Sequence, residues 1–84
     1  MEKDFHIQGK SLRFSDADVK KVAATMKSGA RGRVKYYAKV QNQLYPARQL
    51  VVEMIRRKGE LMPDIITYQA IQILRALDFQ ITES

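Results

Sequence analysis

The stretch that organises this chain is RGRVKYYAKVQNQLYPARQLVVEMIRRK, residues 31–58. It contains eight Lys or Arg residues and one acid, so its formal charge is +7, while the whole chain carries +6. Residues 34–40 alternate as a half-buried strand does, and residues 46–58 repeat apolar side chains at helical spacing. The stretch therefore predicts two central elements of the fold and the place where an anionic partner would bind.

The alternation in 34–40 divides that strand into two faces. The face predicted to lie on the core consists of Val34, Tyr36, Ala38 and Val40. The face predicted to be exposed consists of Arg33, Lys35, Tyr37 and Lys39. A turn at 41–43 and a short return strand at 44–45 should follow.

The next element is predicted to be a helix that begins at Pro46 and ends at Gly59, because Pro suits a first helical turn and Gly a C-terminus. Its apolar positions fall at i, i+3, i+4, i+7 and i+8, which is one face of a helix. These predicted core residues are Ala47, Leu50, Val51, Met54 and Ile55. Val52 lies outside the stripe and is a hint of a homodimer contact.

The flanking sequence predicts a β-hairpin over 4–14 with Gly9 in its turn, and a helix over 15–27 with Ser15 as its N-cap. A third helix is expected from Thr67 as N-cap to about residue 77, with an earlier start at 64 as an alternative. Asp78 is predicted at the left-handed position that ends this helix. A short strand at 79–81 and frayed residues 82–84 complete the chain.

These elements give an α+β fold of order ββαββααβ, with antiparallel hairpins packed on three helices in a single domain, residues 1–84. At 84 residues the chain buries a modest core. It has no cysteine, no apolar run long enough for a membrane span and no apolar signal-peptide core near its N-terminus. We therefore expect a cytoplasmic protein with no membrane association.

The basic stretch favours a nucleic-acid partner, because clustered Lys and Arg neutralise phosphates. Tyr37, between Lys35 and Lys39, would stack on an unpaired base. The predicted phosphate contacts are Arg31, Arg33, Lys35, Lys39, Arg48, Arg56, Arg57 and Lys58. A solvated sheet face or a lysine-protected edge strand is the structural alternative.

The second and third helices also resemble a helix-turn-helix loosely, although their connector is longer than the usual three or four residues. In that arrangement Gln69 and Gln72 are less favoured candidates for contacting adenine in the major groove. The hairpin over 34–45 would then be the wing of a winged-helix-like domain. The structural alternative is that the third helix packs on a sheet, and that Gln69 and Gln72 belong to its ordinary polar side.

Other functional classes find little support in the residue pattern. His6 is the only histidine, and without cysteine or a nearby acidic cluster it does not predict a metal site. No serine or threonine has the context of an activated nucleophile, and no pair of acids stands out as a general acid and base. The sequence therefore predicts a non-enzymatic protein without metal or cofactor.

Two motifs, YPARQ at 45–49 and ILRALDF at 73–79, resemble a pattern in small prokaryotic domains of uncharacterised function. That pattern has Tyr-Pro-x-Lys/Arg-Gln and, later, Leu-Arg-x-Leu-Gly-Phe, and this chain departs from it at Asp78, where the pattern has Gly. The resemblance covers roughly the second half of the chain. It implies a prokaryotic, mobile-element or defence-associated setting and no catalytic residues.

Together these observations predict a small basic nucleic-acid-binding protein, with DNA ahead of RNA. The alternative is an interaction module that docks on an acidic protein, as an accessory or inhibitor subunit in a prokaryotic defence or phage system. A homodimer is compatible with either function, because small DNA-binding folds commonly dimerise.

Overall fold

A computed structural model of the chain describes residues 2–26, 34–62 and 64–83. The described residues form an α+β fold with antiparallel sheets and three helices, which confirms the predicted fold class. In chain order the elements are β1 (Glu2–Ile7), β2 (Lys10–Ser15), α1 (Asp16–Ala23), β3 (Tyr36–Val40), β4 (Gln43–Pro46), α2 (Ala47–Arg57), α3 (Thr67–Ala76) and β5 (Gln80–Glu83).

The strands form two antiparallel sheets. β1 and β2 pair as a hairpin, and the other sheet has the order β4-β3-β5, so β3 is its central strand. The pairing of β5 with β3 places Glu83 opposite Tyr36 and Thr82 opposite Tyr37. The sequence predicts fraying from residue 82 onward, but ladder hydrogen bonding to β3 holds Thr82 and Glu83 in the sheet.

The core is built around α2, as its apolar periodicity predicts. All five residues of the predicted α2 stripe are buried, together with Phe14, Val19 and Leu74 from other elements. Met62 and Ile65, in the connector between α2 and α3, are buried as well. Val52 is half-buried and packs against the same core, so its apolar side chain has an intramolecular explanation.

The start of α1 is fixed by the predicted N-cap. The Ser15 hydroxyl accepts a hydrogen bond from the Asp18 N–H, and the Asp18 carboxylate accepts one from the Ser15 N–H. This reciprocal arrangement satisfies two otherwise unpaired donors. α1 ends at Ala23, earlier than the predicted residue 27, and residues 27–33 lie outside the described part of the chain.

The starts of α2 and α3 differ by one residue from the prediction. Pro46 is the N-cap of α2 rather than its first helical residue, and Ile66 rather than Thr67 is the N-cap of α3. Neither α2 nor α3 has an acidic residue in its first turn. The positive ends of both helix dipoles therefore lack the carboxylates that usually offset them.

The end of α3 follows the prediction. Asp78 has φ 68°, in the left-handed region. Its N–H donates to the Arg75 carbonyl, and the Phe79 N–H donates to the Leu74 carbonyl, at 3.0 Å each. These bonds satisfy the last carbonyls of the helix and turn the chain into β5.

None of the helices in the described part of the chain combines the length and apolar composition needed to span a bilayer.

We expect Asp78→Gly to stabilise the protein, because glycine adopts a positive φ without the steric cost that Asp bears. The expected gain in the free energy of unfolding is about 0.5–1 kcal/mol, or a rise of roughly 2–8 °C in the thermal midpoint for a domain of this size. Asp78→Ala is the matched control and should not stabilise. Equal midpoints for the Gly and Ala variants would show that backbone strain at this position has no effect.

Candidate nucleic-acid interface

The basic residues predicted to bind phosphates do not form one continuous face among the described residues. Arg31 and Arg33 lie outside the described part of the chain. The other six are exposed: Lys35, Lys39, Arg48, Arg56, Arg57 and Lys58. α2 separates most of them into two groups, because at 1.5 Å per residue Arg48 and Arg57 are about 13 Å apart along the helix axis.

The first group consists of Lys35 and Arg48, which line a concave site with a volume of about 430 Å³. We call this site the helix-start pocket. It lies where β3, α2 and α3 begin. The described residues that line it are Val34, Lys35, Tyr36, Pro46, Arg48, Gln49 and Thr67. Two of these are cationic and none is acidic, so the described lining favours an anionic ligand.

The two cations of the helix-start pocket are held differently. The Arg48 Nε donates to the Ile65 carbonyl at 2.7 Å, which fixes the guanidinium beside the start of α3. The Lys35 Nζ lies 3.4 Å from the Glu83 carboxylate and 5.6 Å from the centre of the Tyr36 ring. The pairing of β5 with β3 therefore supplies the acid that faces Lys35.

The second group, which we call the helix-end cluster, lies where the C-terminus of α2 packs on α1. Lys21, Arg57 and Lys58 line a small pocket of about 160 Å³ together with Asp18. The Arg57 Nη2 donates to the hydroxyl of Thr25 at 2.6 Å. The Lys58 Nζ lies 3.5 Å from Asp18 Oδ2, so this cluster contains three cations and one acid.

Arg56 is engaged within α2 rather than in the helix-end cluster. Its guanidinium donates a hydrogen bond to Glu53, one helical turn earlier. This hydrogen bond lowers the pKa of the Glu53 carboxyl and raises the pKa of Arg56. Arg56 is thus partly neutralised in the free protein.

The predicted exposure of Tyr37 is wrong, because the residue is only 2% exposed. Ala38 and Val40, on the opposite face of β3, belong to the main hydrophobic core, whereas Tyr37 does not. Both faces of this central strand are therefore covered at its middle, although an antiparallel sheet commonly keeps one face in water. Tyr37 is not available for base stacking, while Lys39 remains exposed on the same strand.

Gln69 and Gln72 also lie apart from the cations. They line a small pocket of about 140 Å³ with Phe5, His6 and Ile7 of β1. The Gln69 Oε1 accepts a hydrogen bond from the Ile66 N–H at 3.4 Å, which favours a role at the start of α3. The structure therefore does not bring these two amides together with the predicted phosphate contacts.

Several residues of the two sites have no clear sequence signal as binding residues. The helical periodicity of the first helix places Lys21 on its polar side. The alternation of residues 34–40 assigns Tyr36 to the core face of the strand. Glu83 is identified as the partner of Lys35 only once the order of the strands is known. The cluster of positive charge in 31–58 is the one signal that points to both groups.

Comparison of the chain with protein-family models, with curated proteins and with solved structures finds no match.

The hydrogen bond between Arg48 and Ile65 should contribute to stability. Arg48→Lys keeps the positive charge but removes the Nε donor, so we expect the free energy of unfolding in urea to fall by about 0.5–1.5 kcal/mol. Arg75→Lys is the matched control, since Arg75 is exposed on α3 and should show no measurable change. Equal losses in both variants would contradict the assigned contact.

Proposed function

We propose that the protein binds nucleic acid, with DNA ahead of RNA, by phosphate neutralisation at the helix-start pocket, at the helix-end cluster and at Lys39. The supporting observation is that the cations at both ends of α2 are exposed and that none of their acidic partners is buried. Such a surface can exchange its internal ion pairs for phosphates.

The ion pairs in question are weak competitors. Lys35–Glu83, Arg56–Glu53 and Lys58–Asp18 have side chains that are between 27% and 62% exposed. Pairs that are this open to water contribute little to stability, because solvent screens the attraction between the two charges. Phosphate contacts also release condensed counterions, which favours binding at low salt. Exchange of a carboxylate for a phosphate is therefore favourable overall.

Three cations of this surface form no salt bridge with a carboxylate of the described residues. Lys21 and Lys39 are exposed and form no ion pair there, and Arg57 donates to the neutral hydroxyl of Thr25. These side chains need not give up an acidic partner before they contact a phosphate. Lys21 and Arg57 lie together in the helix-end cluster, which makes that cluster the strongest part of the proposed surface.

The segment 27–33 connects the two groups along the chain. It follows directly after Met26, near the Thr25–Arg57 contact, and it precedes Val34, which lines the helix-start pocket. Its sequence includes Arg31 and Arg33, which stay predicted phosphate contacts. In the sequence, these two cations therefore come after Thr25, which contacts Arg57, and before Val34 of the helix-start pocket.

The winged-helix-like arrangement, the prokaryotic setting and the cytoplasmic location remain parts of this proposal. The β3–β4 hairpin would be the wing, and β5 pairs along the other edge of β3. Phosphate binding through the two ends of α2 does not depend on that arrangement.

The proposal predicts that the affinity for nucleic acid falls steeply as salt is raised. It also predicts that Lys21→Gln combined with Arg57→Gln makes this fall less steep. Across about 50–200 mM salt, loss of two phosphate contacts should reduce the slope of log K against log [salt] by about 1.4 for single strands and about 1.8 for duplex DNA. Fluorescence anisotropy with single-stranded DNA, duplex DNA and RNA measures these slopes.

The matched control is Arg13→Gln combined with Arg75→Gln, which changes the net charge equally but affects neither the helix-start pocket nor the helix-end cluster. We expect this control to keep most of the wild-type slope. An equal loss in both double variants would indicate diffuse charge attraction rather than a defined site. No binding at low salt by the folded wild-type protein would rule out the proposed function.

A protein interaction module is the second candidate, and one observation favours it. Leu61, Ile66 and Tyr68 are 79%, 57% and 65% exposed within a short region around the α2–α3 connector. Exposed apolar side chains are typical of protein interfaces when they form a patch. An acidic protein that used this region would contact apolar side chains as well as exposed basic residues.

Pull-down of the wild-type protein after nuclease treatment separates the two functions. A partner that is retained at constant yield, and that is lost when Leu61 is replaced by Ser, would support the interaction module. Lys3→Ser, at an exposed position on β1, is the control and should retain the partner. Loss of all captured material after nuclease treatment would contradict the module.

A further inference from the structure

We propose that the helix-start pocket binds one unpaired nucleotide, so that the nucleic acid recognised by this protein is single-stranded at the point of contact. This inference rests on the proposed function and specifies the class of ligand. It adds a shape-selective site to a surface that would otherwise attract any polyanion.

The size and concave shape of the pocket favour an unpaired base over a base that is stacked in a duplex. About 430 Å³ lies within the usual range of small-ligand sites. The bases of a duplex are stacked and paired, so they cannot enter a concave site without being flipped out. Unpaired bases can be splayed out and bound singly. The concavity therefore selects for single strands, loops or strand ends.

The cations of the pocket suit the phosphate of such a nucleotide. Lys35 enters from the start of β3, and Arg48 enters from the first turn of α2, held in place by the Ile65 carbonyl. A guanidinium can bind two phosphate oxygens at once, and the ammonium of Lys35 adds a point charge. Because neither α2 nor α3 has an acid in its first turn, the positive ends of both helix dipoles add to the attraction for a phosphate.

The remaining lining suits a base and a sugar. Val34, Tyr36 and Pro46 supply apolar and aromatic surface, while Gln49 and Thr67 supply the few polar groups that fix orientation in a ligand site. Tyr36, and not the buried Tyr37, is thus the aromatic residue of the pocket that can contact a base.

Glu83 should act as an internal competitor for the ligand. Its carboxylate lies 3.4 Å from the Lys35 Nζ, in the position that a phosphate oxygen would take. Because the pair is exposed, a phosphate can displace the carboxylate, but at some cost in affinity. Removal of the negative charge of Glu83 should therefore strengthen binding, which is a gain that loss of folding cannot imitate.

The direct test is titration of the ¹⁵N-labelled full chain with dAMP, with deoxyadenosine and with inorganic phosphate, followed by amide chemical shifts. We expect dAMP to shift the amides of residues 34–36, 48–49 and 67–68, with deoxyadenosine and phosphate each giving weaker effects. Equal shifts from phosphate and dAMP would reduce the pocket to a simple anion site and overturn the nucleotide assignment. Absence of shifts at these amides would overturn it as well.

Three variants sharpen the test. Glu83→Gln should raise the affinity for dAMP and for a short single strand about two- to fivefold. Gln49→Glu should lower both affinities about fivefold or more, because it adds a negative charge to the lining. The same substitution places an acid in the first turn of α2, which should preserve or increase stability. Gln43→Glu is the control, since it adds equal charge at the exposed first residue of β4 and keeps an acceptor for the Tyr45 hydroxyl.

The outcomes separate this inference from the proposed function. If the wild-type protein binds nucleic acid but Gln49→Glu and Gln43→Glu weaken blunt duplex and single strands equally, the pocket is not a nucleotide site and the general function stands. If the wild-type protein binds no nucleic acid at low salt, the general function fails, and binding of dAMP alone would then assign the pocket to a free nucleotide.

Discussion

The pairing of β5 with β3 is the constraint on which the site depends. It joins the last strand of the chain to a strand near its middle, and the chain between them must fold back through α2, the connector and α3. Closing such a long loop costs entropy, which burial of the apolar residues of α2 and α3 offsets. The same closure brings the starts of three elements together and places Glu83 beside Lys35. The fold and the pocket therefore share one long-range contact.

Local signals explain why much of the fold could be predicted from the sequence. The stripe of α2, the Ser15 cap and the left-handed Asp78 each depend on interactions within a few residues, and all three are found in the structure. The partner of β5 has no comparable signal, since a short strand carries no information about which edge it will join. The burial of Tyr37 was not predictable from the alternation of residues 34–40 either, because it depends on tertiary packing over that face of β3.

The candidate site was only partly predictable for the same reason. Charge density in the sequence identifies Lys35, Arg48 and Arg57, but it treats the stretch as one face, whereas α2 holds its two ends apart. Lys21 joins Arg57 only because α1 packs against the end of α2. Linear patterns thus locate the charge, and tertiary packing decides which charges act together.

The length of α2 also sets a scale for the proposed contact. Arg48 and Arg57 are nine residues apart, so they lie about 13 Å apart along the helix axis and, after two and a half turns, on opposite sides of α2. A strand that contacted both the helix-start pocket and the helix-end cluster would therefore have to wrap around α2 instead of running straight along it. Because an α-helix is stiff over this length, the spacing between the two contacts should be nearly constant. Length of the oligonucleotide, rather than its sequence, is therefore the feature that this geometry would select first.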